Sequence, residues 1–392
     1  MIRKLTAIGL VPVLFLLALA CHTEDRGSYE ITPSDIHSAN GETKCIATDL
    51  QSYGNLLMNN KVGAAVALNP RTGKILAMVS APDLNSGLPE RYHPGADRCL
   101  HVGYQVGTVI SIANELVALQ DGVLTRDEAI TCEKGYIYDG ARKIPCHGHR
   151  PAKSLEESVM MNCVSCSMNA FRRVVDNPEF ESVGIGLDHW KEQVEKLGFG
   201  HQIGAGLYEE TKGYIPSSAT AVKVSMGDDD FLVTPLQLAN FAAIIANRGY
   251  YYPPYLTSSQ EPDRHEKVEC GIQPEHFDSI IDGMWRAVNS APGSGGTAWI
   301  ANVDGLDVCG NCGTAPGFGK YKHGVFIGFA PKEDPQIAIA VYVENSDFGS
   351  AVAGPIGSLM IEKYLTGKTS RPHLESRMME ANYLNLGIYK VE

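Results

Sequence analysis

The spacing of apolar positions changes character along the chain. Residues 62–82, VGAAVALNPRTGKILAMVSAP, hold two runs of small and β-branched residues around PRTGK. Pro and Gly there suit a tight turn, so the segment predicts a β-hairpin. Over 111–125 the spacing of Ile112, Leu116 and Leu119, stopped by Gly122, predicts a helix. SLEESVMMNCV (154–164) opens with Ser154 and Glu157, the pattern of a capping box. Residues 234–249 carry a Thr cap, a Pro in the first turn and a closing Gly, and 274–289 give a further helix. HGVFIGFAP (323–331) and IAIAVYVEN (337–345) read as two buried strands joined by a KEDPQ turn, and 355–365 as a last helix. Strands near both chain ends enclose a helical middle. That order predicts one α/β (α+β) domain whose sheet is assembled from the start and the end of the chain.

The first residues follow a different pattern. Arg3 and Lys4 precede an apolar run over 5–20, which ends in small residues at ALA-Cys21. The run is short for a membrane span of about 20 residues, and its order is that of an export signal. ALAC resembles a bacterial lipobox, in which the cysteine is lipidated after cleavage. The expected organisation is a lipoprotein signal peptide over 1–20, a lipidated Cys21 and polar tether over 21–44, a domain over 45–368 and a tail over 369–392. An ordinary secreted protein and a retained anchor are the alternatives. His22 stands where an aspartate often marks retention at the inner membrane, which points to an outer-membrane anchor facing the periplasm. Lys and Arg number 33 against 45 Asp and Glu, a net charge of −12, and no basic stripe offsets it. A nucleic-acid partner is therefore disfavoured.

Several segments together carry a family resemblance. GAAVALNPRTGKILAMVSAPDLN, LVTPLQLANFAAIIANRGYYYPPYL, PEHFDSIIDGMWRAVN, VCGNCGTA, HGVFIGFAP and VYVEN occur in that order between about residues 45 and 365. The chain resembles the transpeptidase domain of class B penicillin-binding proteins, the elongation type in particular, as a degenerate paralogue. The resemblance implies a serine β-lactamase-like fold, with a five-stranded antiparallel sheet between helices and an all-helical lobe that carries half of the active site. Members of that family carry a pedestal domain and a membrane helix. Here a short tether and a lipid are expected in their place.

The resemblance also implies three catalytic clusters, and all three are altered. In Ser-x-x-Lys, residues i and i+3 share a helix face, so that the amine takes the serine proton. YQVGTVIS puts Thr108 in the serine position and Ser111 in that of the lysine. A hydroxyl at Ser111 cannot act as a base near neutral pH. The Ser-x-Asn slot falls on Asn162, Cys163 and Val164, with Ser167-Met168-Asn169 as a literal match five residues out of register. In the Lys-Thr-Gly slot Asn311 and Cys312 replace the lysine and threonine, while Gly313 and Thr314 remain. These losses imply a pseudoenzyme that works beside peptidoglycan synthesis by binding cell-wall synthesis proteins or a stem peptide. One rival is a weak acyltransferase or hydrolase that uses Thr108 or a cysteine. Another is a reversible β-lactam or muropeptide sensor.

Ten cysteines are many for an exported chain. Cys312 lies where a substrate would approach, but no Lys or Arg is beside it in sequence to favour a thiolate. CGNC is a CxxC pattern, yet in a strand i and i+3 point to opposite faces, which disfavours redox pairing. Cys132, Cys146, His149 and Cys163, with His147 as substitute, supply the thiolate and imidazole donors that suit tetrahedral zinc. The elongation type carries a comparable CHxH segment associated with a structural zinc. Disulfides and free thiols are the alternatives, and no cofactor is required. The acidic run at 228–230 matches no calcium loop and reads as a solvated turn.

Overall fold

A computed structural model describes residues 46–82, 97–138, 140, 142–204, 207, 210–216, 226–227, 231–260, 266–317 and 321–384. Residues 1–45, which hold the expected signal peptide, Cys21 and the expected tether, lie outside the described residues, as do the aspartates at 228–230 and residues 385–392.

The apolar runs from the two ends of the chain pair with one another. Helix α1 (Thr48–Met58) leads into the expected hairpin of β1 (Gly63–Leu68) and β2 (Ile75–Ala81). A short strand, β3 (Tyr104–Gln105), and a 3₁₀ turn (Gly107–Ile110) precede α2 (Ser111–Gln120). The small hairpin β4 (Gly135–Tyr138) and β5 (Arg142–Pro145) follows. Next come α3 (Leu155–Met160), α4 (Val164–Val175) and α5 (Val183–Lys196). Strand β6 (Leu232–Val233), α6 (Pro235–Ala246), β7 (Tyr250–Tyr251), β8 (Val268–Glu269) and α7 (Pro274–Asn289) complete the middle. The chain closes with β9 (Cys309–Pro316), β10 (Lys322–Ala330), β11 (Ile337–Val343), α8 (Ala353–Thr366) and α9 (Pro372–Glu380).

The main sheet has the order β2-β1-β11-β10-β9, and neighbouring strands run antiparallel. Val66 and Ile327 both pair with Ala340, so the first hairpin docks directly on the last strand. Every residue of β1 and of β11 is buried, as expected of central strands covered on both faces. Successive side chains part to opposite sides. Ala64, Val66, Val325 and Ile327 join the core shared with the helical lobe, whereas Ala65, Ala67, Phe326 and Val341 join the core under α1 and α8. At Ser154 only half of the expected capping box forms: its Oγ accepts from the Glu157 amide at 3.4 Å, while the Glu157 carboxylate turns to Arg150 and the Lys153 amide. Thr234 Oγ1 accepts from the Gln237 amide at 3.0 Å and Gln237 Oε1 accepts from the Thr234 amide at 2.9 Å, a complete capping box on a helix buried all round. Among the described residues no helix is long and apolar enough to cross a membrane.

The segment after Lys368 departs from the tail expected of it. It folds back as α9, because buried polar groups elsewhere need its backbone. The Lys61 ammonium is fully buried and donates to the carbonyls of Asn59, Met378 and Ala381 at 2.9, 2.7 and 3.0 Å. These carbonyls lie at the ends of α1 and α9, where a cation satisfies orphan acceptors and the helix dipoles together. Tyr53 Oη donates to Glu375 at 2.7 Å, and Arg371 donates to Glu362 and to the Asn302 carbonyl.

One acid breaks the apolar stripe of α2. Glu115 is 1% exposed, and its Oε2 has no partner among the described residues. Burial holds its pKa up at about 8 against an ordinary 4.5, with the Cys166 thiol beside it. Between those two values the unfolded chain ionises while the folded one keeps its proton, so this group makes stability fall as pH rises through that window. Relative to its difference at acid pH, Glu115→Gln is expected to gain ~4 kcal/mol on the wild type by pH 8. Urea unfolding at several pH values checks this; a difference that does not change with pH would contradict it.

Candidate functional site

The site begins with two glycines that let a turn lie on a strand. Gly107 has φ +65°, and a Cβ there would sit 2.8 Å from the Thr314 carbonyl oxygen. On the strand side, a Cβ at Gly313 would sit 2.9 Å from the Val109 nitrogen. Without side chains at either position the 3₁₀ turn Gly107–Ile110 meets the edge strand β9 backbone to backbone. Upstream, Arg98 and Tyr104 both donate to Glu344 beyond the end of β11, at 3.2 and 3.1 Å, which fixes the approach to this turn.

Thr108, Ser111, Asn162, Cys312 and Thr314 are brought together here, as the aligned motif positions predict. Thr108 Oγ1 accepts from the Thr314 amide at 3.1 Å and from Asn162 Nδ2 at 3.3 Å. The same Nδ2 donates to the Cys312 carbonyl at 3.0 Å, and Ser111 Oγ donates to Asn162 Oδ1 at 3.3 Å. Asn162 therefore spans the crevice, with both amide protons and its carbonyl oxygen engaged. It does so from a left-handed backbone, φ +47°, in the turn between α3 and α4. Asparagine tolerates that conformation better than other residues with a Cβ. Both lone pairs of Thr108 Oγ1 are taken by donors. Among the described residues no acid, base or cation is bonded to its hydroxyl.

The other positions take structural places. Val164 opens α4 and is partly buried. Asn311 is fully buried on the Gly313 face of β9, and neither its Nδ2 nor its Oδ1 has a partner among the described residues. Cys312 corrects the expectation that it faces an approaching substrate. One residue on from Asn311, it turns to the other side of the sheet, into the core with Phe326, Ala353 and Ile356, where a Cβ added at Gly354 would come within 2.9 Å of its sulfur. Burial pushes its thiol far up, away from any nucleophilic form. Cys309 belongs to the opposite core, so the CxxC pair is divided by the sheet. The out-of-register match is likewise not at the site. Ser167 accepts from Asn114 at 3.0 Å in the lobe core, and Asn169 Nδ2 donates to the Ser165 carbonyl at 2.9 Å. Glu115, one turn beyond Ser111 on α2, went unnoticed in the sequence. Its signal was an acid flanked by apolar residues in SIANELVALQ.

A second constellation lies immediately behind Asn162. The hairpin of β4 and β5 pairs Gly135 with Pro145 and so draws Cys132 and Cys146 together. Cys163 is the N-cap of α4. The donor atoms of Cys132, Cys146, His149 and Cys163 all lie within 4.8 Å of one another. Four donors around a tetrahedral zinc stand roughly 3.3–3.8 Å apart, so a small contraction suffices. His149 Nε2 is 3.3 Å from the Cys146 sulfur, and its Nδ1 is 2.7 Å from the Arg150 carbonyl. That bond places the proton on Nδ1 and leaves the Nε2 lone pair facing the sulfurs. His147 stays outside the set, its Nδ1 3.9 Å from the Cys146 sulfur. Cys146 is held far below the usual thiol range, first by a hydrogen bond from Cys163, whose own proton is correspondingly held on. The eight cysteines among the described residues are all free thiols. The donor set thus fits a structural zinc.

Comparison with known proteins agrees with this architecture. The family model "Penicillin binding protein transpeptidase domain" matches residues 63–362. The chain is 28% identical over 352 residues to the peptidoglycan D,D-transpeptidase PbpA of Mycobacterium tuberculosis, covering 78% of this chain and 67% of that relative. It is 25% identical over 368 residues to the peptidoglycan D,D-transpeptidase MrdA of Escherichia coli, covering 79% of this chain and 55% of the relative, about half its length. Among solved structures, Pseudomonas aeruginosa PBP2 superposes with a TM-score of 0.69 at 25% identity, over 85% of this chain and 78% of that one. Penicillin-binding protein A of M. tuberculosis, as its penicillin G acyl-enzyme complex, gives 0.65 at 26% identity over 83% and 80%. A sheet built from both chain ends, a lobe turn seated on its edge strand and this match over most of the chain lead to one conclusion: the protein belongs to the penicillin-binding protein transpeptidase domain family, in its class B branch.

Proposed function

We propose that this chain is a non-catalytic member of its family that serves peptidoglycan synthesis as a binding protein. The observation that carries the reading is the state of Thr108. Its oxygen already accepts two hydrogen bonds, and position 111, one turn on, holds a serine hydroxyl where acyl transfer needs a base. Loss of a general base alone costs about 10² to 10⁴ in rate. Here the Asn162 amide also occupies the space beside the hydroxyl, and the Thr314 amide, a natural donor for a developing oxyanion, is bonded to Thr108 instead. The buried, protonated Cys312 offers no substitute nucleophile.

A braced crevice favours a protein partner from the cell-wall synthesis machinery over a stem peptide or β-lactam, which would have to displace Asn162. The relatives are named peptidoglycan D,D-transpeptidases; this chain would share their fold and setting and not their turnover. It would act facing the periplasm, held by a lipid on Cys21, with the outer membrane as the anchoring surface. Cys132, Cys146, His149 and Cys163 would hold one zinc ion, which supplies a structural cross-link between the β4–β5 hairpin and the start of α4.

Two measurements test these statements. After incubation with a reporter penicillin, the intact mass of the folded protein is expected to stay unchanged; an adduct that disappears in Thr108→Ala would establish a live acyl-enzyme site. Elemental analysis of protein purified without chelators is expected to give about one zinc per chain, lost in Cys146→Ser; metal content near zero in the wild type would remove the zinc assignment.

A further inference from the structure

The donor cluster and the crevice share one turn of chain. Asn162 immediately precedes Cys163, and the neighbours on either side also face the loop that carries Cys146 and His149. The Met161 carbonyl faces the His147 ring, and the Val164 amide faces the Cys146 sulfur. The turn is closed from within by the Asn162 amide on the Val159 carbonyl and the Cys163 amide on the Ser158 carbonyl, each at 3.0 Å. Residues 161, 163 and 164 are thus all tied to the loop at 146–149. Asn162 is the one member of the turn that points the other way, to Thr108, Ser111 and the Cys312 carbonyl.

We propose that metal binding at Cys132, Cys146, His149 and Cys163 is the clamp that sets Asn162 across the crevice, so that metal occupancy and crevice closure are one coupled equilibrium. The proposal rests on the zinc assignment above. The turn stands in the left-handed region at Asn162, φ +47°, which is uncommon for residues with a Cβ although asparagine tolerates it best. Fixing Cys163 to three donors that flank the β4–β5 hairpin would hold the turn there. Coupling of this kind is reciprocal. The hydrogen bonds that Asn162 makes in the crevice strengthen metal binding, and a group that displaces Asn162 from Thr108 weakens it by the same factor. A carboxylate or carbonyl oxygen is the chemistry that would do so, since the Thr314 and Asn162 N–H groups both point at one acceptor.

The test is a zinc titration against a chromophoric chelator, with the wild type, Thr108→Val, Asn162→Gly and the double variant. Thr108→Val removes the hydroxyl on the crevice side, keeps the side-chain shape and touches no ligand. It is expected to weaken zinc binding about fivefold, the worth of one ordinary hydrogen bond. In the Asn162→Gly background the same change is expected to have no further effect, because the connecting side chain is gone. Ser111→Ala, which removes another partner of Asn162, reports the same coupling should Thr108→Val fold poorly. Equal zinc affinity in the wild type and both crevice variants overturns the coupling and leaves the zinc assignment standing. An undiminished effect in the Asn162→Gly background also overturns it, since the path would then not run through Asn162. A wild type that binds no zinc overturns both.

Discussion

The carboxamide of Asn162 is the point on which the two halves of this molecule close. It reaches Thr108 and Ser111 on the helical lobe and the Cys312 carbonyl on the sheet. With the Thr314 amide on Thr108, four hydrogen bonds link the 3₁₀ turn, the α3–α4 turn and the edge strand. Each is worth only about 1 kcal/mol net. Their importance lies in what they occupy. An edge strand must leave amides unpaired by its own sheet, and here one of those amides is satisfied by a side chain of the lobe. On the reading proposed above, the positions that the family motifs assign to acyl transfer are in this chain the residues that hold the seam together.

The scaffold around that seam is intact. Gly107 and Gly313 still allow turn and strand to touch, the capping box on α6 is complete, and both faces of the sheet are filled. Catalysis asks for a charged base and a free hydroxyl, both of which weaken a closed interface unless substrate is present. Replacing them with neutral groups that bond to one another removes buried charge and unpaired donors together. Asn311 is the exception. It is buried with its amide unpartnered among the described residues.

Much of this was legible in the sequence because it depends on local pattern. The hairpin over 62–82, the capped helix over 234–249 and the strands at 323–331 and 337–345 follow from periodicity and turn residues, and the structure forms each within a few residues. The motif positions 108, 111, 162 and 314 come together, with only the backbone of Cys312 joining them. So do the four zinc-type donors, since cysteines on either side of a short hairpin have little choice but to meet. What escaped were features that depend on direction rather than position. The side of the sheet on which Cys312 lies turns on a one-residue register. The bridging role of Asn162 needs a left-handed turn that a break between two helices only hints at. The helix α9 is held by Lys61, more than 300 residues away in sequence, and Glu115 sits in the core through packing that no local window reveals.

The closed seam is tested most directly at the Thr314 amide. On the edge of the sheet this N–H points toward Thr108, and among the described residues its hydrogen-bond partner is the Thr108 hydroxyl. Residue-resolved hydrogen exchange on the folded protein is expected to find it protected to a degree comparable with the inner amides of β9. An amide at Thr314 that exchanges as freely as those of the exposed loops would mean that the crevice stands open, and would contradict the account.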